Sequence, residues 1–246
     1  MKNFIITTVL ILVFTTNYAQ QPTIKQLQNN AVKAYVKSSI LMWEQLADQA
    51  DKILNTKYVS KETDLCAIKI KYGLLYTCLA NKDKTTYESH IDNIKQQLEE
   101  LMDKYPNSSG LLTLSSAIMS VEMGFSPMKG IYLGSLSSQQ TAKAIELDSL
   151  NALAWRQYAS NKYFTPKKWG GNIHKAIKSY ELALLLYEKN NQTNDWTYLD
   201  TITWLGIAYQ KTGDKVKAKE MFEKVLQIAP DYSWVRDKLL PDLMNS

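Results

Sequence analysis

From Gln20 onward, apolar residues recur at intervals of three and four, and the few prolines and glycines fall between the stretches that keep this rhythm. Such spacing places the apolar positions on one face of an α-helix. It predicts helices over 23–55 (broken near Ser38), 61–80, 85–104, 108–123, 136–147, 151–164, 172–190, 195–211, 215–228 and 231–243. No stretch sustains the period-two alternation with β-branched enrichment that marks a half-buried strand. The expected class is therefore all-α.

One pair of these helices carries a pattern of its own. The segment ITWLGIAYQKTGDKVKAKEMFEKVLQIAP, residues 202–230, places Leu205, Gly206 and Tyr209 on a first helix and Gly213 with Asp214 at a tight turn. Ala218, Phe222 and Val225 follow on a second helix, with Pro230 after it. Small residues at 206 and 218 let two antiparallel helices cross closely, Tyr209 and Phe222 fill the space beside them, and Gly213 permits the turn. This pattern resembles the tetratricopeptide repeat. Looser echoes occur at Gly73 and Tyr76 with Ile94, Leu98, Leu101 and Pro106, at AKAIELDS (142–149), and at Trp155 and Ala159 with Ala176, Tyr180 and Ala183. The resemblance implies an α-α superhelix of about four to five helical hairpins, finished by a capping helix around Trp234 to Leu243. The expected organisation is residues 1–19 as a signal peptide, 20–106 as divergent N-terminal hairpins and 107–246 as C-terminal repeats, in one continuous array.

Spacing shows where the chain departs from that family. Gly206 to Ala218 is twelve residues, the family's interval, whereas Gly73 to Ile94 is 21 and Ala159 to Ala176 is 17. The extra residues are expected at the turn inside each hairpin, and VEMGFSPMKGIYLGSLSS, residues 121–138, reads as a further long connection. In YFTPKKWGGN, residues 163–172, Pro166 ends one helix, Gly170 and Gly171 accept backbone angles that other residues resist, and Asn172 caps the next helix. The alternative for this turn is an anion site, in which amides at the helix start join Lys167, Lys168, Trp169, Gly170 and Gly171 around a phosphate or carboxylate. The segment lacks P-loop spacing and follows no strand. The wider combination FSPMKG…KAIELDS…YFTPKKWGG…KAIKSYELAL is similar to secreted bacterial repeat proteins with a Gly-Gly turn between paired helices. That likeness implies an exported, all-helical, non-enzymatic protein.

The N-terminus agrees with export. Lys2, an apolar stretch from Ile5 to Phe14 and a small residue at Ala19 read as a cleavable secretory signal, and about ten apolar residues fall well short of the roughly twenty that span a bilayer. The processed chain is expected to be periplasmic or secreted, with no stable membrane span. Only Cys66 and Cys78 are present. On one helix they lie roughly 18 Å apart, beyond disulfide reach, so two free buried thiols are expected.

Composition narrows the function. The 29 basic and 24 acidic residues are mixed along the chain without a run of like charge, which argues against nucleic acid. The two histidines, His90 and His174, stand far apart without a metal-ligand spacing, and no GxSxG elbow accompanies the serines. No catalytic residue, metal site or cofactor is expected. What remains is the groove that such arrays line with their first helices, able to hold an extended peptide or a partner's helix. Carrying the family's groove positions over by resemblance points to Asp200, Thr203, Ile207, Gln210 and Lys211, and to Arg156, Ser160 and Tyr163 in the preceding unit. Two functions follow as expectations: a non-enzymatic scaffold for a protein or peptide partner in the cell envelope, or a carrier that binds an anionic small ligand near Trp169, Lys167 and Lys168.

Overall fold

A computed structural model describes residues 23–56 and 59–245; the proposed signal peptide lies outside the described residues. The described chain contains eleven α-helices and no strand. In order they are α1 (Ile24–Val36), α2 (Ile40–Leu54), α3 (Lys61–Asn81), α4 (Lys84–Lys104), α5 (Ser109–Phe125), α6 (Gly130–Leu147), α7 (Ala152–Phe164), α8 (Ile173–Lys189), α9 (Trp196–Thr212), α10 (Lys215–Ile228) and α11 (Leu240–Met244). Among the described residues, no helix is long and apolar enough to cross a membrane.

Local chemistry sets most of the boundaries. Ser39, Ser60, Asp83, Ser108, Asn151, Asn172, Asp195 and Asp214 each accept a backbone N–H of the helix they precede. Each such cap contributes on the order of 1 kcal/mol. Thr23 and Gln26 form a reciprocal capping box at α1. Ser38 adopts a left-handed φ of 47°, which makes the expected break between α1 and α2. Gly213 (φ 84°) closes α9 with a left-handed cap, as the repeat pattern requires.

The hairpins α5/α6, α7/α8 and α9/α10 stack in chain order, with α3/α4 before them. Helices α3, α5, α7 and α9 touch in succession and make the inner layer, while α4, α6, α8 and α10 lie outside. This is the α-α superhelix that the repeat pattern implied. Tight curling of the inner layer brings α1, which packs on α3, against α9 as well.

Two expectations about the turns are corrected. The stretch 121–138 is not a long connection: α5 runs to Phe125, a single tight helical turn covers Pro127–Lys129, and α6 begins at Gly130. Gly130 and Gly134 stay helical there, and a Cβ on either would only reach ordinary contact with the Met123 sulfur, at 3.8 and 3.9 Å. The extra residues after Gly73 also lie outside the turn, because α3 and α4 join through Lys82 and Asp83 alone and are instead 21 residues long each. Gly73 faces Trp43 of α2 rather than its own hairpin partner, whereas Gly206 faces Phe222 of α10 as expected. The third expectation holds. Residues 165–172 form the enlarged turn between α7 and α8, with Gly170 at φ 94°.

Cys66 and Cys78 are free and buried on α3. Burial pushes both thiols up, that of Cys78 to about 12.

A test of the α2–α3 contact follows from Gly73. Replacing a mid-helix glycine with alanine ordinarily adds up to about 1 kcal/mol of stability. At this site the new Cβ would lie 2.4 Å from the ring of Trp43, which is fully buried and edge-on to Trp196. Gly73→Ala is therefore expected to lose about 1–3 kcal/mol in urea unfolding; a gain would show that the ring has room to move.

Candidate functional site

The groove positions divide into two groups. Arg156, Asp200 and Thr203 do not face solvent; all three are buried. Asp200 of α9 accepts from Arg156 Nε at 2.9 Å and from its Nη2, and also from the hydroxyls of Tyr35 (3.1 Å) and Tyr76 (2.6 Å). Arg156 Nη1 donates to Tyr72 at 3.0 Å, and Trp204 Nε1 donates to Tyr76 at 2.9 Å. One carboxylate thus ties α1, α3, α7 and α9 together. Around it, Trp196 lies 5.4–5.7 Å from the rings of Tyr35, Trp43, Tyr72 and Tyr76. Burial pushes the Tyr35 and Tyr76 hydroxyls well up, with the Asp200 charge adding to the effect, so both donate as neutral phenols. Thr203 donates to the Leu199 carbonyl of its own helix at 2.8 Å.

This cluster is a sealed floor. An open groove needs the inner faces of the first helices to be free, but α1 covers them with Tyr35. Sequence reasoning missed the closure because the contact spans 165 residues. One signal was available: Asp200 is the only charged residue between Trp196 and Gln210, an otherwise apolar and polar-neutral stretch, which marks a carboxylate that must be paired.

The second group lies nearer the C-terminal ends of the same helices. Ser160, Tyr163, Ile207 and Gln210 are half-buried and Lys211 is exposed. The structure brings α7 and α9 together here, with Lys211 Nζ 4.5 Å from the centre of the Tyr163 ring. Trp204 sits edge-on to Tyr163 (5.4 Å) and Phe164 (4.9 Å) and approaches Trp234 at 6.3 Å. Phe164, absent from the sequence-derived set, is 59% exposed. Together these residues form an open aromatic lip beside one free-standing cation.

The turn considered as an anion site is built differently from what that reading needs. The amides of Trp169 and Gly171 donate to the Pro166 carbonyl, that of Gly170 to Lys167, and that of Asn172 to Lys162. A Cβ at Gly171 would lie 1.7 Å from the Thr165 carbonyl oxygen, so glycine is required for the close fold of the turn. Lys168 rests over the Trp169 ring at 4.6 Å, and Lys167 and Lys168 are exposed. Beside the turn is a cavity of about 40 Å³ lined by Ser138, Tyr158, Asn161, Lys162, Thr165, Trp169 and Gly170. It has room for a water and not for a metabolite. Among the described residues, no group of three or more His, Cys, Asp and Glu side chains could hold a metal ion.

Residues 199–232, the α9/α10 hairpin, match the tetratricopeptide-repeat family. Over 69 residues the chain is 36% identical to an uncharacterised protein, ycf37, of Guillardia theta; the match covers 28% of this chain and 38% of that relative's length. Two solved structures share the fold. The HusA haemophore of Porphyromonas gingivalis superposes with a TM-score of 0.61 at 18% identity, over 78% of this chain and 96% of its own. A thermophilic tetratricopeptide protein of Thermus thermophilus does so with a TM-score of 0.56 at 15% identity, over 89% and 100%.

Two measurements test the electrostatics. Asp200→Ala leaves the Arg156 guanidinium buried without its counter-charge, and a loss of about 3–5 kcal/mol is expected in chemical unfolding; a loss below about 1 kcal/mol would mean that water or another group reaches the arginine. Asp195 supplies the pH dependence. Burial pushes its carboxyl up, but Lys69 and the donors of Thr197 more than offset this and hold it below its ordinary value. A carboxyl held low in the folded state stabilises fully above its unfolded pKa of about 3.9, and that stability is lost as pH falls through the lower folded value. The melting temperature is expected to fall more steeply below about pH 4 in the parent than in Asp195→Asn; equal slopes would remove the pair from the account.

Proposed function

We propose that this chain, whose residues 199–232 match the tetratricopeptide repeat and whose fold is shared with a tetratricopeptide protein, is a non-enzymatic scaffold of the cell envelope that holds a protein or peptide segment at the lip of its inner surface. The observation that carries this reading is the contrast between sealed floor and open lip. An exposed Phe164, backed by the half-buried rings of Tyr163 and Trp204 and set beside an unneutralised lysine, suits an extended segment carrying an apolar residue next to a carboxylate. Tyr163, Phe164 and Trp204 supply apolar area, Lys211 the charge, and Ser160 and Gln210 the hydrogen-bonding groups. The floor makes the surface rigid, so little ordering is lost on binding. Export rests on the first nineteen residues and on the likeness to secreted repeat proteins with a Gly-Gly turn.

A second reading has one observation in its favour: a haemophore is among the proteins with this fold. A small anionic ligand would then meet Lys167, Lys168 and Trp169. With a cavity of about 40 Å³ beside the turn, such a ligand would lie on the open ring of Trp169 rather than inside the protein.

Photo-crosslinking in the cell from a probe at Gln210 separates the two. One recurrent protein, lost in Phe164→Ala with Lys211→Glu, supports docking at the lip. Background capture from a folded, exported probe protein, together with haem titration that alters the absorbance of haem in the parent and not in Trp169→Ala, would replace the scaffold with the ligand carrier.

A further inference from the structure

The same end of the array carries further apolar side chains that the scaffold reading does not use. At the start of α6 and in the turn before it, Met128 is 80% exposed, Ile131 82% and Tyr132 60%. Their i, i+3, i+4 spacing puts them on one face, which Leu136 continues. Trp169, 67% exposed, projects from the α7–α8 turn. The α7–α8 turn lies against α6, because Trp169 and Ser138 of α6 line the same cavity and α6 packs against α7. Ser138 lies two helical turns from Ile131 on the same face, about 10 Å along the axis.

Charge separates this edge from the rest of the molecule. Between Met123 and Tyr180 only Glu146 and Asp148 are acidic, against eight lysines and arginines, although the whole chain carries 24 acidic and 29 basic residues. Glu146 is paired with Lys143 at 3.2 Å, Lys129 is paired with Glu122 of α5 at 3.4 Å, and Arg156 is neutralised inside the protein by Asp200, so the free positive charge of the edge lies at the α7–α8 turn. The lysines form no run of like charge; what sets the edge apart is the scarcity of carboxylates. Lys167 and Lys168 flank Trp169, and Lys175 follows on the first turn of α8.

From this juxtaposition we propose that the edge formed by the start of α6 and the α7–α8 turn docks on an anionic lipid surface. Met128, Ile131 and Leu136 enter the boundary between headgroups and acyl chains. Tyr132 and Trp169 lie at headgroup depth, where amphipathic rings are favoured. Lysine stems cover apolar surface while their ammonium groups stay among lipid phosphates. A lipid surface fits better than a protein partner because Met128, Ile131, Tyr132 and Trp169 are each 60–82% exposed, and the cavity of about 40 Å³ beside Trp169 is too small to grip a peptide side chain. The site adjoins the lip, because Phe164 ends α7 where the α7–α8 turn begins, so the array would hold its protein segment close to the membrane.

The test is co-sedimentation of the full chain with vesicles of phosphatidylcholine alone and of phosphatidylcholine mixed with phosphatidylglycerol. The variants are Ile131→Ser with Trp169→Ser, and Lys167→Gln with Lys168→Gln; all four positions are exposed, and circular dichroism checks their folding. Residues 1–22 are common to every sample, so the edge is read from the difference between parent and variant. The parent is expected to bind the anionic vesicles, less so as salt rises, and each variant to bind on the order of tenfold more weakly. Equal binding by parent and both variants, or no binding by the parent, overturns the proposal. Uptake of an acidic amphipathic peptide with the same residue dependence, and no vesicle binding, overturns it in favour of a protein partner.

Discussion

The bond between Arg156 and Asp200 holds the array in its curled form. In isolation, a buried ion pair roughly breaks even against a well-packed apolar pair, because both charges give up their water. Here the pair is not isolated. Asp200 also accepts from Tyr35 and Tyr76, and Arg156 also donates to Tyr72, so the carboxylate can be satisfied only where α1, α3, α7 and α9 converge. Any slip of one repeat against the next would leave a charge buried and unpaired. The pair therefore acts through specificity: it selects one superhelical curvature, and that curvature brings α1 onto the inner faces of the first helices.

The same arrangement recurs between repeats. Lys71, almost wholly buried on α3, donates to Asp51 of α2 and to Asn93 and Gln97 of α4. Glu122 of α5 holds Lys95 of α4 at 2.8 Å and Lys129 at 3.4 Å, and Asp64 of α3 accepts from Lys104 and Tyr105, both at 2.9 Å. Between α5 and α6, the hydroxyls of Ser116, Ser137 and Thr141 meet at 2.7 Å, where small side chains allow the helices to approach closely. Stacked repeats bury apolar surface without much regard for rotation about their common axis. Buried polar groups add the missing constraint, since each has few acceptable partners.

These principles also explain what could be read in advance. Periodicity located nearly every helix, and the residues of 202–230 identified the α9/α10 hairpin, because both signals are local. The start of α6 was misread as a connection because Gly130, Gly134 and Pro127 look like breaks, yet Pro127 opens its short turn at a position where no N–H is needed. The site was legible only in part. Ser160, Tyr163, Ile207, Gln210 and Lys211 lie at the lip, but Arg156, Asp200 and Thr203 are floor, covered by groups far away in the chain: Tyr35 of α1 reaches Asp200 across 165 residues, and Tyr232 meets Thr203. Helix periodicity says which face turns inward. It does not say what else arrives there.

Filling the groove changes where recognition can happen. An open array presents its first helices along their whole length and selects partners by a long, adaptable concave surface. In this chain that surface shrinks to a lip, and exposed apolar side chains stand elsewhere, among them Met128 and Trp169 in turns and Ile131 at the start of α6. Met128 and Trp169 stand on short helical turns fixed by internal hydrogen bonds, Lys129 N–H to Ser126 O at 2.9 Å and Trp169 N–H to Pro166 O at 2.9 Å, and Ile131 on the first turn of α6. A side chain held that way is displayed rigidly although nothing covers it. Residues exposed at such a cost in water contact are retained most readily where something else covers them in use. Once α1 closes the array, its inner faces are no longer open to a partner, and any surface that binds one has to lie at the margins.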